Sequence, residues 1–151
     1  MNIVVAIDFS NATESVMRIT QRIAGKSGAH IYLLHVADPE PDFMGYDAGP
    51  EVVRDQVAEL HNEAHRRTQD LAERLRQSGL EATALTIQGA IVESVLDQAE
   101  RLDAGFIVVG SHGHGAMYDL LVGSISEGIV RQSVRPVLVV PARGENDDSR
   151  N

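Results

Sequence analysis

The chain has 151 residues, a formal net charge of −9, 43% hydrophobic residues and 4% aromatics, with neither cysteine nor tryptophan. That length is one domain with room for a buried core, while the acidic balance and scarce aromatics argue against a basic nucleic-acid face and a base-stacking platform. Without cysteine there is no disulfide, thiolate nucleophile or cysteine-ligated metal, and no apolar run approaches the ~18 residues that cross a bilayer.

Short apolar runs alternate with helical stretches, the pattern of a parallel sheet covered on both faces. Residues 3–7 read as a first strand, opened by a segment with no basic region and an early acid at Asp8, so no signal peptide is expected and a cytoplasmic location is. A helix is expected over 12–27, with Ile19, Ile23 and Ala24 inward, Asn11 and Glu14 spaced for a capping box, and Gly28 closing it. The second strand is 31–36. Residues 38–50 hold three prolines and two glycines and read as a loop, placed to act as a lid.

A long helix follows over 52–78, its apolar positions Val53, Val57, Leu60, Ala64, Leu71 and Leu75 keeping helical spacing up to Gly79. Residues 82–87 are a third strand and 91–102 a helix with Val92, Val95, Leu96 and Ala99 inward. The fourth strand is 106–109, the fourth helix 124–133 and the fifth strand 137–140; 1–142 form a single domain and 143–151 a polar tail expected to be disordered. In open sheets of this kind ligands bind beyond the carboxyl ends of the strands, where the strand order reverses. Asp8, Val36, Gly89 and Gly110 stand at or just past such ends and can share one crevice although far apart in sequence.

Between the fourth strand and fourth helix runs GSHGHGAMYDLLVGS, from Gly110 to Ser124. Glycine lets the backbone come close to a ligand, and a helix start offers unpaired N–H groups and partial positive charge, which suits phosphate. The combination reads as nucleotide binding. A plainer reading makes Ser124 and Glu127 a capping box with Gly123 shaping the turn; it leaves Gly110, Gly113 and the hydroxyl of Ser126 unaccounted for. The spacing is neither the G-x-G-x-x-G fingerprint nor a P-loop, and the one lysine, Lys26, lies elsewhere. No G-x-S-x-G elbow supports serine chemistry. His61 and His65 are spaced i, i+4 but lack a third ligand and read as a solvated helix face. His112 and His114 read as polar loop residues with a phosphate contact open to one of them, and His30 and His35 as structural.

The spacing Gly110-x2-Gly113-x9-Gly123-Ser124 resembles the G-2x-G-9x-G-[S/T] motif of ATP-binding universal stress proteins. Asp8-Phe9-Ser10 after the first strand, Gly89 before a helix and the closing Pro136-Val137-Leu138-Val139-Val140 resemble that family as well, so the likeness runs to about Pro141. It implies a Rossmann-like α/β fold, an open five-stranded parallel sheet of order 3-2-1-4-5 with helices on both faces, that binds ATP and usually dimerises. On the matching positions it implies that Ala6, Asp8 and Val36 line adenine and ribose, that Val109, Gly110 and Gly113 face ribose and α-phosphate, and that Gly123, Ser124, Ile125 and Ser126 hold the phosphates. His114 and Asp119 stand where the family often carries arginine or lysine, which leaves ATP, ADP and AMP open as ligands. With so little cationic charge, a triphosphate calls for Mg2+. Asp8 is then either a ligand, direct or through metal-bound water, or an acid that favours the following helix start.

The fifth strand is wholly apolar and stands at a sheet edge in this topology, which invites pairing with a second copy through Val137–Val140. The expected function is a regulatory, adenine-nucleotide-binding stress-response protein with a protein partner left open; no nucleic acid or membrane partner is expected. A slow ATPase or phosphotransferase is the alternative, disfavoured because Arg131 and Arg135 come too late to meet a γ-phosphate. A redox domain is weaker still, for want of a fingerprint and cysteine.

Overall fold

The computed structural model describes residues 1–37, 50–111 and 123–142. The elements run β1 (Asn2–Ala6), α1 (Thr13–Ser27), β2 (His30–Ala37), α2 (Pro50–Gln77), β3 (Ala82–Gln88), α3 (Ile91–Arg101), β4 (Ala104–Gly110), α4 (Ser124–Gln132) and β5 (Val137–Val140). All five strands pair in parallel in the order β3-β2-β1-β4-β5. This is the expected Rossmann-like sheet.

Alternation along the strands divides the core in two. Ile3, Val5, Ile7, Ile31, Leu33, Val108 and Val140 point to one side and pack with Val16, Met17 and Ala24 of α1 and Leu71, Ala72 and Leu75 of α2. Val4, Leu34, Val36, Ile107 and Val109 point to the other and pack with Val95 and Ala99 of α3 and Ile129 of α4. Right-handed crossovers require this division. The chain steps one way across the sheet from β1 to β3, then returns past β1 to β4 and β5, so α1 and α2 fall on one face and α3 and α4 on the other. The direction reverses between β1 and β4.

Local corrections follow from helix ends. Asn11 and Glu14 form no capping box: the residue before α1 is Ala12, in helical conformation and without a side-chain cap. The carboxylate of Glu14 instead receives two hydrogen bonds from Arg74 of α2, at 2.8 and 3.0 Å, and these hold it below the usual carboxylate range. Both side chains are more than half exposed, so the pair adds at most about 1 kcal/mol at neutral pH. That contribution fades as acid protonates Glu14. Gly28 and Gly79 do close their helices, in left-handed conformation at φ 65 and 80.

At 28 residues α2 is about 42 Å long, while the eight residues of β2 reach only about 26 Å. Its C-terminal half therefore lies on the sheet and its N-terminal half runs past it. Leu60, one of the apolar series, is 68% exposed for that reason.

Candidate functional site

The reversal between β1 and β4 brings the first and fourth strand ends side by side, Val5 against Val108. Ala6, Val36 and Val109 all belong to the α3/α4 side of the sheet. Val36 and Val109 are buried and Ala6 half-buried, so they form a short apolar floor at the carboxyl edge. Gly110, paired with Val140, ends β4.

Beyond that edge α4 begins. Gly123 is its N-cap, in ordinary extended conformation at φ −75 and ψ 164, and no side chain caps the helix. Ser124 is thus the first helical residue, and the capping box of Ser124 and Glu127 that the plainer reading offered does not form. Nor does Gly123 need to be glycine for its backbone angles. The first turn closes with Glu127 N donating to Gly123 O at 2.9 Å. The N–H groups of Ser124, Ile125 and Ser126 precede it and have no acceptor within the helix. Ser124 and Ile125 are exposed, whereas Ser126 is buried and its hydroxyl donates to the carbonyls of Ser111 and Gly123, 3.2 Å from each. What Ser126 can offer an anion is its main-chain N–H.

Ser111 was not among the residues singled out for the site, yet it ties the site together. Its carbonyl accepts from Gly123 N and from the Ser126 hydroxyl, and its N–H donates to Val140 O at 2.8 Å. The two ends of segment 112–122 are thereby held together at the base. A small hydroxyl residue directly after a strand-ending glycine is its signal in the sequence. Gly113, His112, His114 and Asp119 lie in that segment, outside the described residues, as do residues 38–49 of the loop expected over 38–50 and the tail over 143–151; Pro50, the last residue of that loop, instead opens α2.

On the β1 side, Ile7 N donates to Leu34 O at 2.8 Å and the chain then turns sharply. Asp8 Oδ1 accepts from Ser10 N at 2.9 Å, and Ser10 Oγ accepts from Ala12 N at 3.3 Å, so two side-chain-closed turns lead into α1. Asp8 precedes Thr13, where α1 starts, by five residues, which removes it from the helix cap. It is exposed at the crevice mouth. Phe9 sits at φ 58, a left-handed conformation that costs a side-chain-bearing residue on the order of 1–2 kcal/mol. His35 Nδ1 donates to Ile7 O at 2.9 Å, its ring centroid is 4.7 Å from that of Phe9, and Arg67 of α2 lies over the Phe9 ring at 4.1 Å.

The remaining histidines and arginines among the described residues are placed elsewhere. His30 spans Glu81 and Thr83 at the β2/β3 edge. Among the described residues no three acidic or histidine side chains converge as a metal site. Arg131 pairs with Glu127, and Arg135 with Asp103 and the carbonyl of Ala104. A cleft of about 350 Å3 between α1 and α2, on the other face of the sheet, is lined by Glu14, Arg18, Arg74 and Ser78; the Glu14–Arg74 pair already occupies its charge.

These features define a doubly wound α/β domain whose strand order reverses between β1 and β4, the place where open sheets of this kind bind ligands, with small apolar residues, a helix N-terminus and a carboxylate near it. The model of the Universal stress protein family matches residues 1–141, and the chain belongs to that family. A universal stress protein of Thermus aquaticus is 29% identical over 91% of this chain and 96% of its own. Universal stress protein MJ0577 of Methanocaldococcus jannaschii is 26% identical over 88% and 90%. The solved structure of MJ0577 superposes with a TM-score of 0.80 at 24% identity, covering 95% of this chain and 96% of that one. Two further universal stress protein structures share the fold: one from Archaeoglobus fulgidus in complex with dAMP (TM-score 0.64, 23% identity, 93% and 97% covered) and one in complex with cAMP (0.65, 21%, 95% and 98%). No helix among the described residues is long and apolar enough to cross a membrane.

Proposed function

We propose that this chain is a regulatory protein that binds an adenine nucleotide, ATP or its ADP and AMP relatives, in the crevice between the ends of β1 and β4. The observation that carries the reading is the first turn of α4, where three successive N–H groups have no acceptor within the helix and follow a glycine N-cap tied to Ser111, the residue after Gly110. Such a terminus favours phosphate. The complexes of two universal stress proteins with dAMP and cAMP support adenosine phosphates as the class. Ala6, Val36 and Val109 would meet the base and ribose, Gly110 and Gly113 the ribose and first phosphate, and Gly123, Ser124, Ile125 and Ser126 the phosphates.

A divalent cation fits the donor set. The exposed Asp8 carboxylate and Ser124 hydroxyl are hard oxygen ligands of the kind Mg2+ takes together with phosphate. The net charge of −9 disfavours an unescorted triphosphate. When bound, the metal would supply neutralising charge; the chain's own residues would orient the nucleotide. Regulation would follow if the nucleotide favours one dimer or partner state over another. We also propose the cytoplasm as its location.

Denaturing the purified protein and identifying any released small molecule by absorbance and mass, then titrating ATP, ADP and AMP with and without Mg2+, tests the reading. An adenosine phosphate released or bound at micromolar concentration is the expected result. A protein that releases nothing and takes up none of the three overturns it.

A further inference from the structure

Among the described residues two that are not glycine have left-handed backbone angles, Asp103 at φ 46 and Phe9 at φ 58. Aspartate tolerates that conformation; a bulky aromatic does so rarely. Backbone held against preference persists only where its surroundings over-determine it, and such places cluster at ligand clamps. Phe9 is surrounded in that way. Its ring lies under the Arg67 guanidinium and against the ring of His35. The Nδ1–H of His35 is fixed on Ile7 O, the last carbonyl before Asp8. On its other side in sequence, Ser10 N closes the turn onto the Asp8 carboxylate. One side chain each from β2 and α2 therefore bears on the residue that follows Asp8, and none of these three contributes to the apolar floor or to the phosphate end of the crevice.

We propose that Phe9 is a positioning residue: contacts with His35 and Arg67 hold its left-handed turn, and that turn sets the Asp8 carboxylate toward the nucleotide crevice. The inference deepens the nucleotide-binding reading and rests on it for the ligand, though not for the geometry. Arg67 also makes α2 part of the arrangement, so movement of α2 is felt at Asp8. Glycine adopts positive φ without cost, which makes Phe9→Gly diagnostic. If Phe9 merely tolerated its turn, glycine would serve there equally well or better.

The experiment compares wild type with Phe9→Gly, Phe9→Tyr and Arg67→Met, each checked for folding by thermal denaturation. Without ligand, hydrogen exchange of the Ser10 amide, followed by NMR, reads the hydrogen bond to Asp8. It is expected to accelerate at least tenfold in Phe9→Gly, by a smaller factor in Arg67→Met, and within twofold of wild type in Phe9→Tyr. With Mg-ADP as probe, Phe9→Gly is expected to bind about tenfold more weakly and Phe9→Tyr within twofold of wild type. In an Asp8→Asn background, Phe9→Gly should then change affinity less than twofold, because the two act through one carboxylate. A Ser10 amide as protected in Phe9→Gly as in wild type, or a full tenfold effect in the Asp8→Asn background, overturns the proposal. If the Ser10 amide responds as expected while no variant, wild type included, binds Mg-ADP, the positioning role stands and the nucleotide reading fails.

Discussion

Gly123 shows how a single residue separates the two readings of the phosphate loop. Its angles, φ −75 and ψ 164, are ones that valine adopts readily. Gly123→Val should therefore cost only about 1 kcal/mol, chiefly from a poorer helix cap. It should nevertheless weaken adenine-nucleotide binding at least 100-fold, about 2.7 kcal/mol, because two methyl groups would occupy the phosphate space. Calorimetric titration beside circular dichroism checks both parts. Asp8→Asn isolates charge in the same spirit, since an amide oxygen can still accept from Ser10 N. The affinity ratio with and without Mg2+ should move toward unity, read by titration at both conditions. In the core, Thr20 is fully buried and its hydroxyl meets no partner among the described residues. Replacing it by isosteric valine removes an unpaired polar group, so Thr20→Val should raise stability by about 1 kcal/mol in urea denaturation.

At the scale of elements, the position of α4 matters because its first turn is the proposed anion site. α4 packs on α3 through Gly128, where an added Cβ would stand 2.9 Å from Val92 Cγ2. Valine is stiff about χ1 and cannot swing aside freely. Alanine gains about 1 kcal/mol in helix propensity, but overpacking costs about 1–3 kcal/mol, so Gly128→Ala should destabilise the protein. It should also weaken nucleotide binding by pushing α4 away from α3 and so displacing its first turn. The double variant with Val92→Ala should recover both, as measured by denaturation and titration. Helix boundaries at this scale were legible from periodicity, and Gly28 and Gly79 as terminators from the need for positive φ. The caps were not. Asn11, Glu14, Ser124 and Glu127 have capping spacing, yet Glu14 pairs with Arg74, and α4 begins at Ser124 itself with Gly123 as its cap.

Across the whole molecule, β5 pairs only with β4 among the described residues and leaves an apolar margin. Val134, in the connection that enters β5, is 95% exposed, and Val130 of α4 is 48% exposed. Large exposed apolar side chains beside a strand edge favour association, in line with the pairing of two copies expected from the sequence through Val137–Val140. Lysine at both positions should shift a concentration-dependent dimer to monomer in light scattering while leaving the thermal midpoint of the monomer within a few degrees. A species of unchanged mass would place the interface elsewhere.

Strand and helix order, and from them the sheet topology, follow from local physics. β-branched runs of strand length alternate with helical periodicity, and right-handed crossovers leave few ways to fold such a chain. That Asp8 and Gly110 stand at strand ends, and Gly123 and Ser124 at a helix start, was legible because glycine spacing and strand ends are local features. Only the tertiary structure decided that Ser126 spends its hydroxyl on Ser111 and Gly123, that Ser111 fastens the loop base, and that His35 and Arg67 bear on Phe9. Those contacts join residues brought together by packing across strands and between layers, and no periodicity within one segment encodes which side chains will meet there.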